Sequence, residues 1–535
     1  MKPASSRRIT RIVLPFCALF LIFYLLPFPS VHGPADHDSE EAYHDPRPAK
    51  QPTRDDMHAL PVIQEPPQPL KKEAPKPKPP SPLAKHKYRA DGLLEVDVDG
   101  PHPIYELIAD AEKKWKEKVN RQSQTLEAAV EEYRRRYKRA PPKGFELWWQ
   151  YVKEHNVQLP DEYDQIHADL EPFWGVEPAD LRKTQEELEK KKDSVSVIGL
   201  LREIEDYLPS FRATFSPHDG PDRLSDHGIL TAALEAASSQ TVLERSALPK
   251  VQGNGWRYAC PPDSPARQRP VSPNHEPTFS SKKTLIHDHI KSMDPCYHTN
   301  HLLIHGQFIG HGNGPTPQAH LDVNPRSADP PFDEKPDERL LWRGRNTGIH
   351  HSPRSLWKNA HRDYFVRRRM RLKGRGSGRG EEGEEGRVNP ALLDVAFAEE
   401  AVMCDPKTCD ELERLYPFRP FQGTEEAGQY KYVFDIDGNG WSGRFKRLIT
   451  SNALIFKATI YPEWYHDRVQ PWVHYVPVQM DLSDLRIAER GREWSLGMWR
   501  REDLVAYFFR LILEWARLQS LDRDEMAFVL PEEGD

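Results

Sequence analysis

The apolar positions change pattern along the chain, and each pattern predicts a different kind of element. Ile12 to Phe28 is a mostly apolar run. From Pro34 to about Pro103 apolar residues are sparse, and Lys71 to Pro82 reads KKEAPKPKPPSP, a polyproline-II-like stem that cannot bury enough surface to fold. Ile104, Leu107, Ile108 and Ala111, extended by Trp115 and Val119, recur at helical spacing and predict a helix over 104–138. Pro141-Pro142 ends it. A second helix begins at Gly144-Phe145-Glu146-Leu147-Trp148-Trp149, and helices continue to about Tyr207. Arg212 to Phe215 predicts a strand, followed by a loop at Pro217-His218-Asp219-Gly220-Pro221. Between Tyr430 and Leu485 the period shortens. Tyr430 to Phe434 reads as a strand, Asp437-Gly438-Asn439-Gly440 as a turn, and Ser442 to Ser451 as a helix with Phe445, Leu448 and Ile449 on one face. Ala453 to Phe456 and Val473 to Val478 are two further strands, which makes a βαβ unit. The tail, Glu502 to Gln519, carries an apolar face of Leu504, Val505, Phe508, Phe509, Leu511, Ile512, Trp515 and Leu518.

Composition adds limits. With 535 residues there is room for two domains and an extension, and 50 prolines with a mean hydropathy of -0.76 leave part of the chain outside any core. A net charge of -7 gives no argument for nucleic acid. The basic block from Arg367 to Arg387 lacks aromatics and runs into Glu381-Glu382-Gly383-Glu384-Glu385, so it reads as a surface loop rather than an RNA-binding segment. Arg7, Arg8 and Arg11 precede the first apolar run, which favours an anchor with a cytoplasmic N-terminus over a signal peptide cleaved near Val31-His32-Gly33. Cys17 lies in that run. Cys260, Cys296, Cys404 and Cys409 permit three pairings in an oxidising compartment.

Three places carry candidate chemistry. Arg444 and Lys446 fall in the first turn of the helix after the glycine turn, where cations oppose the helix dipole. A bound diphosphate explains them, and two solvated surface cations are the plainer alternative. Asp219 stands in a loop at a strand end, where ligands bind in open α/β sheets. It is a candidate general base, and Asp between prolines is also ordinary turn chemistry. His287-Asp288-His289, His298, His301 and His305 have the look of a metal site, although acceptor contacts or structure explain them more simply.

The stretch from Tyr430 to Leu485 closely resembles glycosyltransferase family 90, the fungal capsule-associated glycosyltransferases and animal protein O-glucosyltransferases. The matching words are Tyr430-Lys431-Tyr432, Ser442-Gly443-Arg444-Phe445-Lys446, Trp464 and Pro471-Trp472-Val473-His474-Tyr475-Val476-Pro477-Val478. Further matches are Leu340 to Gly348, Asp219-Gly220-Pro221, and the fungal words Met293-Asp294-Pro295-Cys296 and His305-Gly306. The resemblance implies an α/β fold of GT-B type with two Rossmann-like domains. Together with the apolar run and the stem, it divides the chain into a cytoplasmic tip and anchor (1–30), stem (31–103), helical region (104–207), acceptor domain (208–335), UDP-sugar domain (336–500) and crossing helix (501–522). It implies inverting transfer from a UDP-sugar, xylose or glucose, to a glycan or glycoprotein, with no cofactor or metal. Asp219 is then the base. Arg343, Gly344, Thr347, Asp437, Gly438, Ser442, Arg444, Phe445 and Lys446 are the donor site. Arg345 and Asn346 depart from the animal pattern. Asp435-Ile436-Asp437 resembles the metal handle of a different glycosyltransferase class, but in this family it shapes the turn or contacts the donor sugar. The implied location is the Golgi or another secretory membrane, type II, with the catalytic region lumenal. The alternative is a catalytically inactive lumenal binding protein of the same fold. Relatives carry more sequence between His311 and Asp333 and after Leu485, so missing coding segments or a weakened enzyme are expected.

Overall fold

The computed structural model describes residues 85–189, 204–213, 225–253, 255–269, 277–278, 282–310, 329–368, 393–484 and 501–531. The apolar run at 12–28, the stem to residue 84, Asp219, the Arg-Gly-Glu block beyond 368 and the two shortened stretches at 311–328 and 485–500 lie outside the described residues. In chain order the main elements are β1 (Lys87–Tyr88), β2 (Leu93–Glu95), α1 (Pro103–Asn120), α2 (Leu126–Tyr137), α3 (Phe145–Glu154), α4 (Asp164–Trp174), α5 (Pro178–Glu189), α6 (His227–Ser238) and β3 (Thr284–Ile286). Then follow β4 (Asp337–Gly344), α7 (His361–Arg368), β5 (Leu393–Ala398), α8 (Pro406–Leu415), β6 (Phe418–Arg419), β7 (Tyr430–Ile436), α9 (Phe445–Thr450), β8 (Leu454–Ala458), β9 (Val476–Pro477) and α10 (Arg501–Gln519).

The single helix expected over 104–138 is two. Thr125 takes an extended conformation and its side chain accepts from Ala128 N at 3.2 Å, so the chain leaves α1 and restarts with a cap. The strand expected at 473–478 shrinks to Val476–Pro477. Trp472 holds φ at 69° and donates its N–H to Tyr475 O at 2.8 Å, so a turn occupies most of that stretch.

A six-stranded parallel sheet, ordered β6-β5-β4-β7-β8-β9, forms the C-terminal half. Its central strands are apolar on both faces, as a covered parallel sheet requires. On one face Trp342, Val395, Phe397 and Phe434 pack with Phe365 of α7 and Leu412 of α8. On the other, Leu341, Val433 and Ile455 pack with Phe445, Leu448 and Ile449 of α9. The described residues of 208–335 are only part of that span, expected as a Rossmann-like domain. They hold one strand, β3, in an antiparallel sheet with β1 and β2. Arg212 and Ala213, the described part of the expected strand, are not in a sheet but lie on α10: Trp515 Nε1 donates to Arg212 O at 2.8 Å.

The helices before the sheet share a core with the C-terminal helix. Val505, Phe509 and Leu513 of α10 meet Val130, Phe145, Trp148, Tyr163 and Ile166. Fully burying a side chain such as Leu513 contributes about 1.5–3 kcal/mol. Arg468, fully buried beyond β8, ties the two halves by donating from Nη1 to Leu159 O at 3.2 Å. Among the described residues no helix is long and apolar enough to cross a membrane.

Candidate functional site at the strand switch point

The sheet begins in its middle. β5 is added on one side of β4 and β7 on the other, so the carboxyl ends of β4 and β7 form the switch point where open α/β sheets bind ligands. Two loops rise there, 345–349 after β4 and 437–444 after β7. Gly348, at φ 110°, donates its N–H to Asn439 Oδ1 at 2.9 Å and joins them.

Arg362 of α7 braces both loops from beneath. Its Nη1 donates to Arg345 O and Thr347 Oγ1, each at 2.7 Å, and its Nε donates to Asp437 O at 2.7 Å. Burial lowers the Arg362 guanidinium to about 9. Beside it, His361 accepts Gly306 N–H at Nδ1, so its proton sits on Nε2 and is donated to Asp437 O at 2.8 Å. By the same logic His305 accepts Gln307 N–H at Nδ1 and donates Nε2–H to Asp437 Oδ2 at 3.3 Å. The two imidazoles stack with centroids 4.1 Å apart.

The Asp435-Ile436-Asp437 word is committed internally. Asp435 is fully buried and receives Ser442 Oγ–H on one oxygen and Lys457 Nζ at 2.9 Å on the other. Burial opposes its ionisation, but the charges of Lys457 and Arg444 hold it below the usual carboxylate range. Asp437 receives His305 and Ile460 N–H, and burial pushes its carboxyl upward. Lys457 also lies 3.5 Å from Glu463, which burial raises to about 7.

Arg444 spans the ends of both central strands. Its Nη1 donates to Arg343 O and its Nη2 to Ile436 O, each at 3.0 Å. A cavity of about 200 Å³ opens beside it, along the α9 face of the sheet. Arg343, Arg444 and Arg447 line the cavity, and among the described residues no acidic side chain does. Asp394 neutralises Arg343 from the next strand.

Of the residues expected in the donor site, Arg343, Gly344, Thr347, Asp437, Gly438, Ser442 and Arg444 gather in these two loops and strand ends. Phe445 does not face the cavity. It is fully buried and stacks on Tyr465 at 5.1 Å. Lys446 also lies away from the cavity's lining. Burial lowers it to about 8, and the facing charge is Asp503 of α10. Arg362, Arg447, Lys457 and Asp394 belong to the site but stand in no motif. For His305 the sequence offered the His305-Gly306 word and its place in the histidine-rich stretch. The histidine-rich stretch disperses: His287 pairs with Arg89 O, His289 with Tyr475 and His298 with Asp91 O. Among the described residues no group of three ligand-type side chains could hold a metal.

Residues 418–529 match the model of glycosyl transferase family 90. Protein O-glucosyltransferase 1 of Bos taurus is 32% identical over 150 residues, which cover 25% of this chain and 37% of that protein. The Rattus norvegicus protein of that name is 31% identical over the same shares. O-glucosyltransferase rumi of Drosophila pseudoobscura pseudoobscura is 27% identical over 166 residues, 27% of this chain and 40% of the relative. The chain thus spans well under half the length of these curated relatives.

Proposed function

We propose, on the premise that this chain belongs to glycosyl transferase family 90 through its C-terminal part, that it is an inverting, UDP-sugar-dependent glycosyltransferase. The observation that carries the reading is Arg444. It is fixed on two strand ends at the switch point, beside a cavity with three arginines and no acidic lining among the described residues. The acceptor hydroxyl loses its proton to a carboxylate as its oxygen attacks the sugar C1. The bond from C1 to the diphosphate oxygen breaks, and negative charge grows on the departing UDP. Arg444 supplies a preorganised cation where that charge develops. Asp219 is the proposed base. The relatives' names point to glucose as the sugar and protein as the acceptor, with xylose and glycan as the other members of the class.

Asp435 spends both oxygens on Ser442 and Lys457, and Asp437 gives Oδ2 to His305 and Ile460 N while its Oδ1 is buried; with Asp435 so occupied, transfer is proposed to run without a metal. The disulfides Cys260–Cys296 and Cys404–Cys409 suit the oxidising lumen of the secretory pathway, to which the apolar run at 12–28 is proposed to anchor the chain. One observation favours a second reading, a donor-binding protein without turnover: the described part of 208–335 supplies only β3 to any sheet.

UDP release from a panel of UDP-sugars, with and without a peptide or glycan acceptor, separates the two. The transferase reading expects acceptor-dependent release from one sugar, unaffected by EDTA and abolished in Asp219→Asn while UDP still binds. UDP binding without release from any donor supports the second reading. Loss of activity in EDTA that Mn²⁺ restores overturns the metal-free mechanism.

A further inference from the structure

We propose that Asn346 is a positioning residue for donor binding: it fixes the β4 loop, 345–349, on a second loop that the Cys404–Cys409 disulfide closes. The proposal rests on the donor reading above and adds what keeps the β4 loop in its binding shape. Arg362 and Asn439 hold that loop at Arg345, Thr347 and Gly348. Asn346 stands between these anchors, is fully buried, and sends its side chain instead to the 399–405 loop between β5 and α8. Its Nδ2 donates to Val402 O at 2.7 Å, and its Oδ1 accepts Val402 N–H at 2.9 Å. A carboxamide can make both bonds at once, whereas an ionised Asp has no donor and Leu has neither group.

The 399–405 loop is held in a shape it would not keep alone. Glu399 at φ 61° and Met403 at φ 52° both take the left-handed conformation that non-glycine residues rarely adopt. Such backbone persists only where its surroundings over-determine it, and it gathers at functional sites. Three further contacts do so here. The disulfide joins Cys404 to Cys409 of α8. Glu413 of α8 accepts Ala401 N–H at 3.1 Å. His351, just past the β4 loop, donates its N–H to Met403 O at 2.8 Å and accepts Asp405 N–H at 3.0 Å. Arg345 and Glu399 also pair, but both are exposed and the pair adds little. None of residues 399–405 lines the cavity beside Arg444, so their route to the donor runs through Asn346 and His351.

Titration calorimetry of the full chain with UDP, run beside thermal melts, tests this. Asn346→Leu removes both hydrogen bonds, Asn346→Asp keeps only the acceptor, and the pair Cys404→Ala, Cys409→Ala releases the partner loop. The proposal expects each to weaken UDP about tenfold, the order set when a loop must be ordered on binding. Asn346→Leu combined with the cysteine pair should weaken UDP no more than either does alone. The control is Cys260→Ala with Cys296→Ala, which removes the bridge of longer separation, 36 residues against 5, and leaves UDP affinity unchanged. If Asn346→Leu melts lower but binds UDP as wild type does, Asn346 is merely structural and the proposal is overturned. Losses that add, or an equal loss in the control, overturn it too. Should Asn346→Leu not fold, Asn346→Asp and the cysteine pair decide. Failure in the variants alone leaves the donor reading standing. A wild type that binds no UDP brings that reading down, and this proposal with it.

Discussion

Gly344 leaves the space that Arg444 fills. A Cβ at Gly344 would stand 2.9 Å from Arg444 Nη1 and 3.0 Å from the Trp342 indole. The glycine was expected among the donor-site residues. It lets a guanidinium cross from the β7 loop to the end of β4. The end of an arginine side chain usually yields cheaply, but this one is held by two carbonyls and the indole confines it from the other side. Gly344→Ala should therefore move Arg444 off the strand ends. UDP affinity should fall by about tenfold or more, as for Arg444→Ala, because a charge-assisted hydrogen bond is worth about 1.5–3 kcal/mol. The double variant should bind UDP no worse than Arg444→Ala alone. Additive losses in calorimetry would show that the two residues act separately.

The central βαβ unit was legible because its signals are local. Tyr430 to Ile436, the glycine turn and the apolar face of Phe445, Leu448 and Ile449 all sit within a few residues of one another. The C-terminal helix was legible for the same reason, from its long apolar stripe. The rest depends on partners far away in sequence. Arg362 reads as one more cation in a basic stretch, and only the fold brings it under Asp437, 75 residues later. Phe445 and Lys446 share a word with Arg444, yet a helix turns successive residues through about 100°, so one enters the core and one faces α10. Thr125 was missed as a cap because the apolar stripe runs on across it.

Arg510 of α10 is a buried cation held by four aromatic rings, those of Tyr133, Phe145, Trp148 and Tyr163, with centroids at 4.7–5.5 Å. Its Nε donates to Glu514 at 2.9 Å, and Tyr133 donates to the other oxygen of Glu514 at 2.9 Å. Removing one member leaves the other charged and buried. Arg510→Met should destabilise the protein by about 3–5 kcal/mol, and Arg510→Met with Glu514→Leu should recover part of that loss. Urea unfolding followed by tryptophan fluorescence measures both. A double variant less stable than the single one would contradict the expectation.

The two disulfides should differ in worth. Cys260–Cys296 closes a separation of 36 residues and Cys404–Cys409 one of 5. Loop-closure entropy assigns about 4 kcal/mol to the longer bridge and about 2 kcal/mol to the shorter. Paired Cys→Ala variants, compared by denaturant midpoint, should show the larger loss for the 260–296 pair.

Asp484 gives a pH signature whose sign is fixed by burial. It follows β9, its Oδ1 accepts Gln479 N–H at 2.9 Å, and its Oδ2 is buried with no partner. Burial raises the carboxyl from 3.8 to about 7. The folded state therefore holds this proton more tightly than the unfolded chain. The resulting stability is fully present below pH 3.8 and is lost as pH rises through about 7. Asp484→Asn keeps an acceptor for Gln479 and cannot ionise. It should melt higher than wild type at pH 8, by at most about 4 kcal/mol of stability, and the gap should close steadily between pH 7 and pH 4. Glu463, raised by burial to about 7, has the same sign. His167, lowered by burial to about 4, has the opposite sign and costs stability as pH falls below 6.5. Both are common to the two proteins, so they cancel in the difference between melting curves. A constant gap across this range would mean that Asp484 titrates as an ordinary surface carboxylate.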